Sequence, residues 1–199
     1  MGSSRALTFQ PRKQPHTWLV GVSPPTPSPE RKMLIRAEEE RDWPSVYALN
    51  AAVFETPAEA DLVDALRRET KPIISLVADD AGAIDGHIMF SPVSLIEHPG
   101  LKIMGLAPMA VAAKRQRSGI GSSLVRAGLE ACKEIGAGAV VVLGHSDYYP
   151  RFGFTAAVNF GIGCGYDVPA EAFMALELRP GYLRDASGMV KYLAAFDNL

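Results

Sequence analysis

Cysteine is scarce. The chain has two, Cys132 and Cys164, and they form no CxxC pair. That argues against a disulfide framework and a cysteine-based zinc site, and no metal is expected. It also makes a reducing cytoplasm the default compartment. Long apolar runs are missing as well. The longest uncharged one, Ile103 to Ala113, carries Gly105 and Pro108 and is too short to span a bilayer, so no membrane partner is expected. No excess of one charge is present: the net charge of −2 makes a globally basic nucleic-acid binder unlikely. No internal repeat is visible.

What is present fits an ordinary globular protein: 199 residues, 48% hydrophobic and 21% charged. That length suits one domain with an extension. The extension is the first 32 residues, with Pro11, Pro15, Pro24, Pro25, Pro27 and Pro29 and no acid before Glu30. Proline removes backbone donors and blocks helix, so this stretch is expected to be extended or disordered. Arg5, Arg12 and Lys13 hint only weakly at targeting, and no amphipathic helix supports it. A disordered tail, or an upstream start ahead of Met33, accounts for it. The division expected is therefore 1–32 as extension and 33–199 as domain.

Within the domain, Met33 to Arg36 reads as a short strand. Arg41 to Phe54 has apolar residues at helical spacing, with Trp43, Val46, Tyr47, Leu49 and Val53. Thr56-Pro57 caps a second helix, Ala58 to Arg68. A strand Ile73 to Ala78, a turn Asp79 to Gly82 and a return strand Ala83 to Val93 follow. Lys102 to Val111 is the next strand. Gly119 to Ile135 is a helix whose shared face holds Ile120, Leu124, Ala127, Ala131, Cys132 and Ile135. Ala139 to Leu143 (AVVVL) lacks alternation, as a strand buried on both faces does. A short helix over Asp147 to Phe152 and strands at Phe173 to Leu178 and Met189 to Ala194 complete the order. This succession gives an α/β (α+β) fold: a mixed sheet with helices on both faces.

The segment RQRSGIGSSL, residues 115–124, lies where strand gives way to helix. A helix start exposes unpaired N–H groups and the positive end of the dipole, which together bind anions. Glycine lets a phosphate approach without a Cβ in the way. Arg115 and Arg117 add charge, and Ser118, Ser122 or Ser123 can add hydroxyl donors. A P-loop is excluded, since no Gly-Lys-Ser/Thr follows. The dinucleotide fingerprint fails too, because Leu124 stands where a third small residue belongs and the motif falls past mid-chain.

Gln116-Arg-Ser-Gly-Ile-Gly121 resembles the Q/R-x-x-G-x-G/A pattern of the GNAT acetyltransferases. Tyr148-Tyr-Pro-Arg-Phe-Gly-Phe154 resembles their tyrosine-x-x-x-Gly-Phe segment. The resemblance covers roughly residues 33–178. It implies a mostly antiparallel sheet whose central parallel pair splays at an acetyl-CoA slot, with Gly144 where the splay ends. It implies acetyl-CoA as co-substrate. The pyrophosphate would lie on the backbone of Gln116, Arg117, Ser118, Gly119, Ile120, Gly121 and Ser122, and the pantetheine arm would pair along Met109, Ala110 and Val111. A backbone N–H near Ala110 or Val111 would hold the oxyanion.

The implied reaction is acetyl transfer from the thioester to a primary amine of a small molecule or protein. Tyr149 would be general acid to the leaving thiolate, with Tyr148 as second choice. A tyrosine hydroxyl, at about 10 against about 8.5 for a thiol, stays protonated at neutral pH. Family members often carry a carboxylate on the strand before the loop, and LAPMAV has none. Glu55, Glu97, His98, His145 and Asp147 are the candidates for the base, with His145 ranked first for its place just past AVVVL. Phe54 to Pro57 and Phe160 to Tyr166 would bound the acceptor. FGIGCGYDV reads as a mobile wall or a loop without a role. A homodimer is compatible with this reading. Two competing readings are a non-catalytic acyl-CoA-binding sensor of the same fold and a binder of some other phosphate ligand.

Overall fold

A computed structural model of the chain describes residues 33–198, so the expectations for 1–32 lie outside the described residues. The elements, in order, begin with β1 (Leu34–Ala37), α1 (Trp43–Val53) and α2 (Ala58–Glu69). Next come β2 (Ile74–Asp80), β3 (Ala83–Leu95), β4 (Ile103–Val111), α3 (Ile120–Glu134) and β5 (Ala139–Leu143). After a 3-10 turn at Tyr149–Phe152 follow β6 (Thr155–Ala156), β7 (Ile162–Cys164), β8 (Phe173–Glu177) and β9 (Gly188–Lys191).

The main sheet has the order β1-β2-β3-β4-β5-β8-β6. Its pairs are antiparallel except β4 with β5, at its centre. This is the mixed, mostly antiparallel sheet with a central parallel pair that the sequence led us to expect. The long β3 runs past this sheet, and its end at Ser94 and Leu95 pairs with β9. β9 in turn lies parallel to β7, a contact not anticipated.

Successive residues of a strand point to opposite faces. Ile88 and Phe90 therefore join one core with Ile120, Leu124 and Val140, under α3. Met89 joins the other with Val46, Leu62, Val63 and Leu66, under α1 and α2. Helices thus cover both faces. Two close approaches seat α3. A Cβ on Gly128 would come within 2.2 Å of the buried Phe90 ring, and one on Gly86 within 2.8 Å of Ile120. Only the missing side chains allow the helix this near the sheet, and its depth fixes where its N-terminus opens.

A polar cluster lies in the α1/α2 core. Arg67 pairs with Glu38 and Asp64. Ser75 donates its one hydroxyl proton to Glu38 at 2.7 Å, so it accepts from His87 Nε2 at 2.9 Å. His87 Nδ1 then accepts from Asn50 Nδ2 at 3.2 Å. The chain of bonds fixes a neutral His87. Burial, with the Arg67 charge added, lowers its pKa to about 3.

Several local expectations are corrected. Asp79 and Asp80 belong to β2, and the hairpin loop is Ala81-Gly82, both with positive φ (53° and 94°), the backbone of a type I′ turn. Ile135 is 40% exposed because it is the cap residue after α3, out of the helical spiral. Val125, Gly128 and Leu129 complete the buried face instead. Trp43 is 42% exposed, with the Arg67 guanidinium 5.3 Å from its ring centroid. FGIGCGYDV is not wholly loop: it carries the short strand β7. The last strand ends at Lys191, and a 3-10 turn at Ala194–Asn198 replaces its expected continuation.

Candidate active site

The central parallel pair does not run the length of its strands. β4 pairs with β5 only from Ile103 to Leu106 and then continues alone to Val111. The cause lies on its other edge. Ile88 pairs with Met109 but Phe90 with Leu106, so Met89 faces both Ala107 and Pro108. Such a bulge bends its strand, and proline, with no N–H to donate, suits that place. Ala112 N–H bonds Asp85 O at 2.9 Å. Alternation then turns the backbone groups of Ala110 toward β3, and those of Met109 and Val111 toward the gap. Gln116 Nε2 donates to the Val111 carbonyl at 3.2 Å. The Val111 N–H faces the opening.

The glycine loop closes one end of this gap. Arg117 (φ 62°) and Gly119 (φ 90°) are both left-handed, which gathers successive amides into a concave nest. Gly119 caps α3 with no side-chain hydrogen bond, so the first amides of the helix are left for a ligand. A Cβ on Gly121 would meet the Tyr148 hydroxyl at 2.8 Å. Two expected donors are spent within the protein. Ser118 Oγ donates to the Arg115 carbonyl at 2.5 Å, and Ser118 lies off the cleft. Arg115 pairs with Asp80 (3.3 Å) and Asp85 (3.4 Å). Its charge tethers the loop to the β2–β3 hairpin. Arg117 has no acid partner among the described residues, and Arg151 joins it on the cleft wall.

Past β5 the chain turns back over the gap. Tyr149 is 7% exposed, packed edge-on against Phe154 (5.7 Å between centroids) and Tyr148 (5.1 Å). A Cβ on Gly144 would strike the Tyr149 ring at 2.5 Å, so glycine is required where β5 ends. Burial pushes the Tyr149 hydroxyl well above the usual tyrosine pKa, and the proton stays on it. The Tyr148 ring has the Arg151 guanidinium 4.6 Å from its centroid. His145 is exposed on the cleft wall, and its carbonyl accepts the Tyr148 N–H at 2.9 Å.

One cleft of about 1250 Å³ brings together Met109, Val111, Gln116, Arg117, Gly119, Ile120, Gly121, Ser122, His145 and Tyr149. Ala110 is buried in the sheet opposite His87 and does not line it. Tyr148 and Asp147 do. Glu55, Glu97 and His98 lie off it. Glu97 instead holds a turn by accepting the Met189 N–H at 3.1 Å.

Residues from both faces of the sheet line this cleft, so it passes through the sheet where β4 leaves β5. On the α1/α2 side its wall is Phe54, Glu59, Leu62, Tyr166, Tyr192 and Phe196. Phe54 and Tyr166 come from the segments expected to bound the acceptor. Glu59, Tyr192, Phe196 and Arg151 were not singled out from the sequence. Arg151 lies inside the YYPRFGF motif, which was the signal for it. Nothing in the linear pattern marks the others. Among the described residues, no cluster of three metal-ligating side chains is found and no helix is long and apolar enough to cross a membrane.

Comparison with known proteins agrees with this geometry. The acetyltransferase (GNAT) domain family matches residues 34–157. The N-acetyltransferase YhbS of Escherichia coli K12, itself uncharacterised, is 38% identical over 83% of this chain and 99% of its own. A crystal structure of E. coli YhbS with CoA superposes at TM-score 0.81, with 36% identity over 85% of this chain and 94% of that one. A GNAT-family acetyltransferase from Brucella melitensis with acetyl-CoA gives TM-score 0.70, at 34% identity over 84% of this chain and 99% of that one. The splayed parallel pair, the uncapped glycine loop and these matches lead to one assignment: the chain belongs to the GNAT acetyltransferase family.

Proposed function

We propose that this protein transfers the acetyl group of acetyl-CoA to a primary amine by direct attack, through the domain at 33–199. The observation that carries this reading is a single cleft holding both an uncapped helix start and an unpaired strand edge. CoA and acetyl-CoA accompany the two related structures, and the residues here suit the same molecule. The amides from Gln116 to Ser122 hold the pyrophosphate, with Arg117 and Arg151 as counter-charges. Met109 offers its backbone groups to the pantetheine amides. Acetyl-CoA supplies the acyl carbon and a thiolate leaving group. The Val111 N–H points where an oxyanion develops, and Tyr149 gives its proton to sulfur. His145 and Glu59 both line the cleft as groups able to take the amine's proton. The acceptor is a small molecule or a protein amine. Both cysteines are free thiols, in keeping with a cytoplasmic enzyme.

The non-catalytic sensor reading draws on the absence of a carboxylate from β4. The protonated Tyr149 hydroxyl on the cleft wall beside the splay favours turnover over sensing.

Thermal unfolding with acetyl-CoA, CoA, ATP and NAD tests the ligand. At about a hundred times its dissociation constant a ligand adds about 2.7 kcal/mol, an easily seen rise. Acetyl-CoA and CoA alone should produce it. An equal rise with ATP would leave a generic phosphate site.

A further inference from the structure

We propose that Glu59 takes the proton of the acceptor amine, and that the acceptor is a cationic primary amine on an apolar carrier, seated at the α1/α2 end of the cleft. This inference rests on the transferase reading above.

Glu59 stands in the first turn of α2, one turn before the core residues Leu62 and Val63. It lines the cleft, and its Oε2 is out of water with no hydrogen-bond partner among the described residues. A carboxylate oxygen so placed is destabilising unless a cation or donor reaches it. Among the described residues, no cation of the protein pairs with Glu59. Arg67, on the same helix, is paired with Glu38 and Asp64. Arg115, Arg117 and Arg151 come from the loop and turn that form the other end of the cleft. An ammonium entering at this end supplies the missing partner.

The surroundings of Glu59 select what carries that ammonium. The Tyr192 hydroxyl is a second buried polar atom without a partner on the same wall. The Tyr192 ring lies 5.8 Å from Tyr166 and 4.9 Å from Phe196, centroid to centroid, with Phe54 and Leu62 also lining the cleft. Aromatic faces attract a cation and pack an apolar carrier. β4 offers no carboxylate, so α2 supplies it from the opposite wall.

The step balances as follows. Glu59 takes one proton from the bound ammonium, freeing the nitrogen lone pair. A nitrogen–carbon bond forms at the acyl carbon as the carbon–sulfur bond breaks with its electron pair on sulfur. Sulfur takes the Tyr149 hydroxyl proton. The second nitrogen proton returns to the Tyr149 oxygen through water, and Glu59 releases its own to solvent. The products are the amide, the thiol and one proton.

The test is thiol release by the full chain at saturating acetyl-CoA, with hexylamine and 2-phenylethylamine as probes, from pH 6 to 10. At pH 7, E59Q should lower kcat/KM about 100-fold. Its thermal shift with acetyl-CoA should be unchanged. The deficit should shrink toward pH 10, where solution supplies neutral amine. E59D, which keeps the carboxylate, should recover part of the rate. H145Q, at the competing base, should lose much less than E59Q, and Y192F should raise KM about threefold to tenfold. E59Q with the wild-type rate and profile overturns the inference and leaves the transferase reading standing. So does a loss in H145Q matching that expected of E59Q, or E59D no better than E59Q. A wild-type chain that shifts with acetyl-CoA but acetylates neither probe overturns the acceptor class. A chain with no acetyl-CoA shift overturns the transferase reading and this inference together.

Discussion

The two ends of the cleft are built from different materials. On the α3 side the wall is mostly backbone: the open edge of β4, the left-handed Arg117 and Gly119, and the uncapped first turn of α3. On the α1/α2 side it is all side chain, aromatic rings around one carboxylate, drawn from segments as far apart as Phe54 and Phe196. The difference teaches why one end suits a fixed ligand and the other a variable one. Amides point where the fold puts them, whatever side chains they carry, and a phosphate asks for little else. An amine is chosen by shape and charge, which substitutions alter without disturbing the sheet.

Breaking the backbone end should have the largest effect. Gly121→Glu adds a Cβ where the Tyr148 hydroxyl stands 2.8 Å away, and a negative charge at the positive end of α3. Acetyl-CoA affinity should fall about 1,000-fold or more, near 4 kcal/mol, by calorimetry. Amine binding at the far end should survive in the same variant, which separates the two halves. Tyr149→Phe sits between them. It keeps the ring that packs on Gly144 and Phe154 and removes only the hydroxyl. Turnover should fall about 100-fold with acetyl-CoA affinity nearly unchanged. Equal losses in both would make Tyr149 a cofactor-binding residue.

The smallest effect concerns the layer beneath the aromatic end. His87 pairs with Ala110 across the sheet and is held neutral by burial, its pKa lowered to about 3. In the unfolded chain it titrates near its ordinary 6.5. Below that pH the unfolded state binds a proton that the folded state refuses, so stability falls with falling pH, from about 6.5 toward 3. From pH 7 to pH 5 this amounts to about 2 kcal/mol, measurable by urea unfolding. His87→Gln should flatten that slope.

The sequence made the glycine-loop end legible because each part of it is local. A Gln116-x-x-Gly-x-Gly run between a strand and an amphipathic helix is both the motif and the structure. The same holds for Tyr149 four residues before Gly153. What the sequence misled on was the use of side chains. Arg115 and Ser118 looked like free phosphate donors: Ser118 spends its hydroxyl on a carbonyl off the cleft, and Arg115, though on the cleft wall, is paired with Asp80 and Asp85. Glu97 and His98 looked free to act as bases and lie off the cleft. A donor's availability depends on its neighbours in space, which spacing along the chain does not contain.

By itself the sequence determined the order of elements as far as β5, the buried AVVVL strand, the glycine loop before α3 and the tyrosine that follows β5. These follow from hydrophobic period, backbone freedom at glycine and residue types within a dozen positions. Only the tertiary structure decided where β4 parts from β5, how deep α3 sits on Phe90, and that Glu59 and Tyr192 share a wall. Those outcomes depend on a bulge set by pairing with β3, on a Cβ absent opposite a ring, and on chain segments over a hundred residues apart meeting across the sheet.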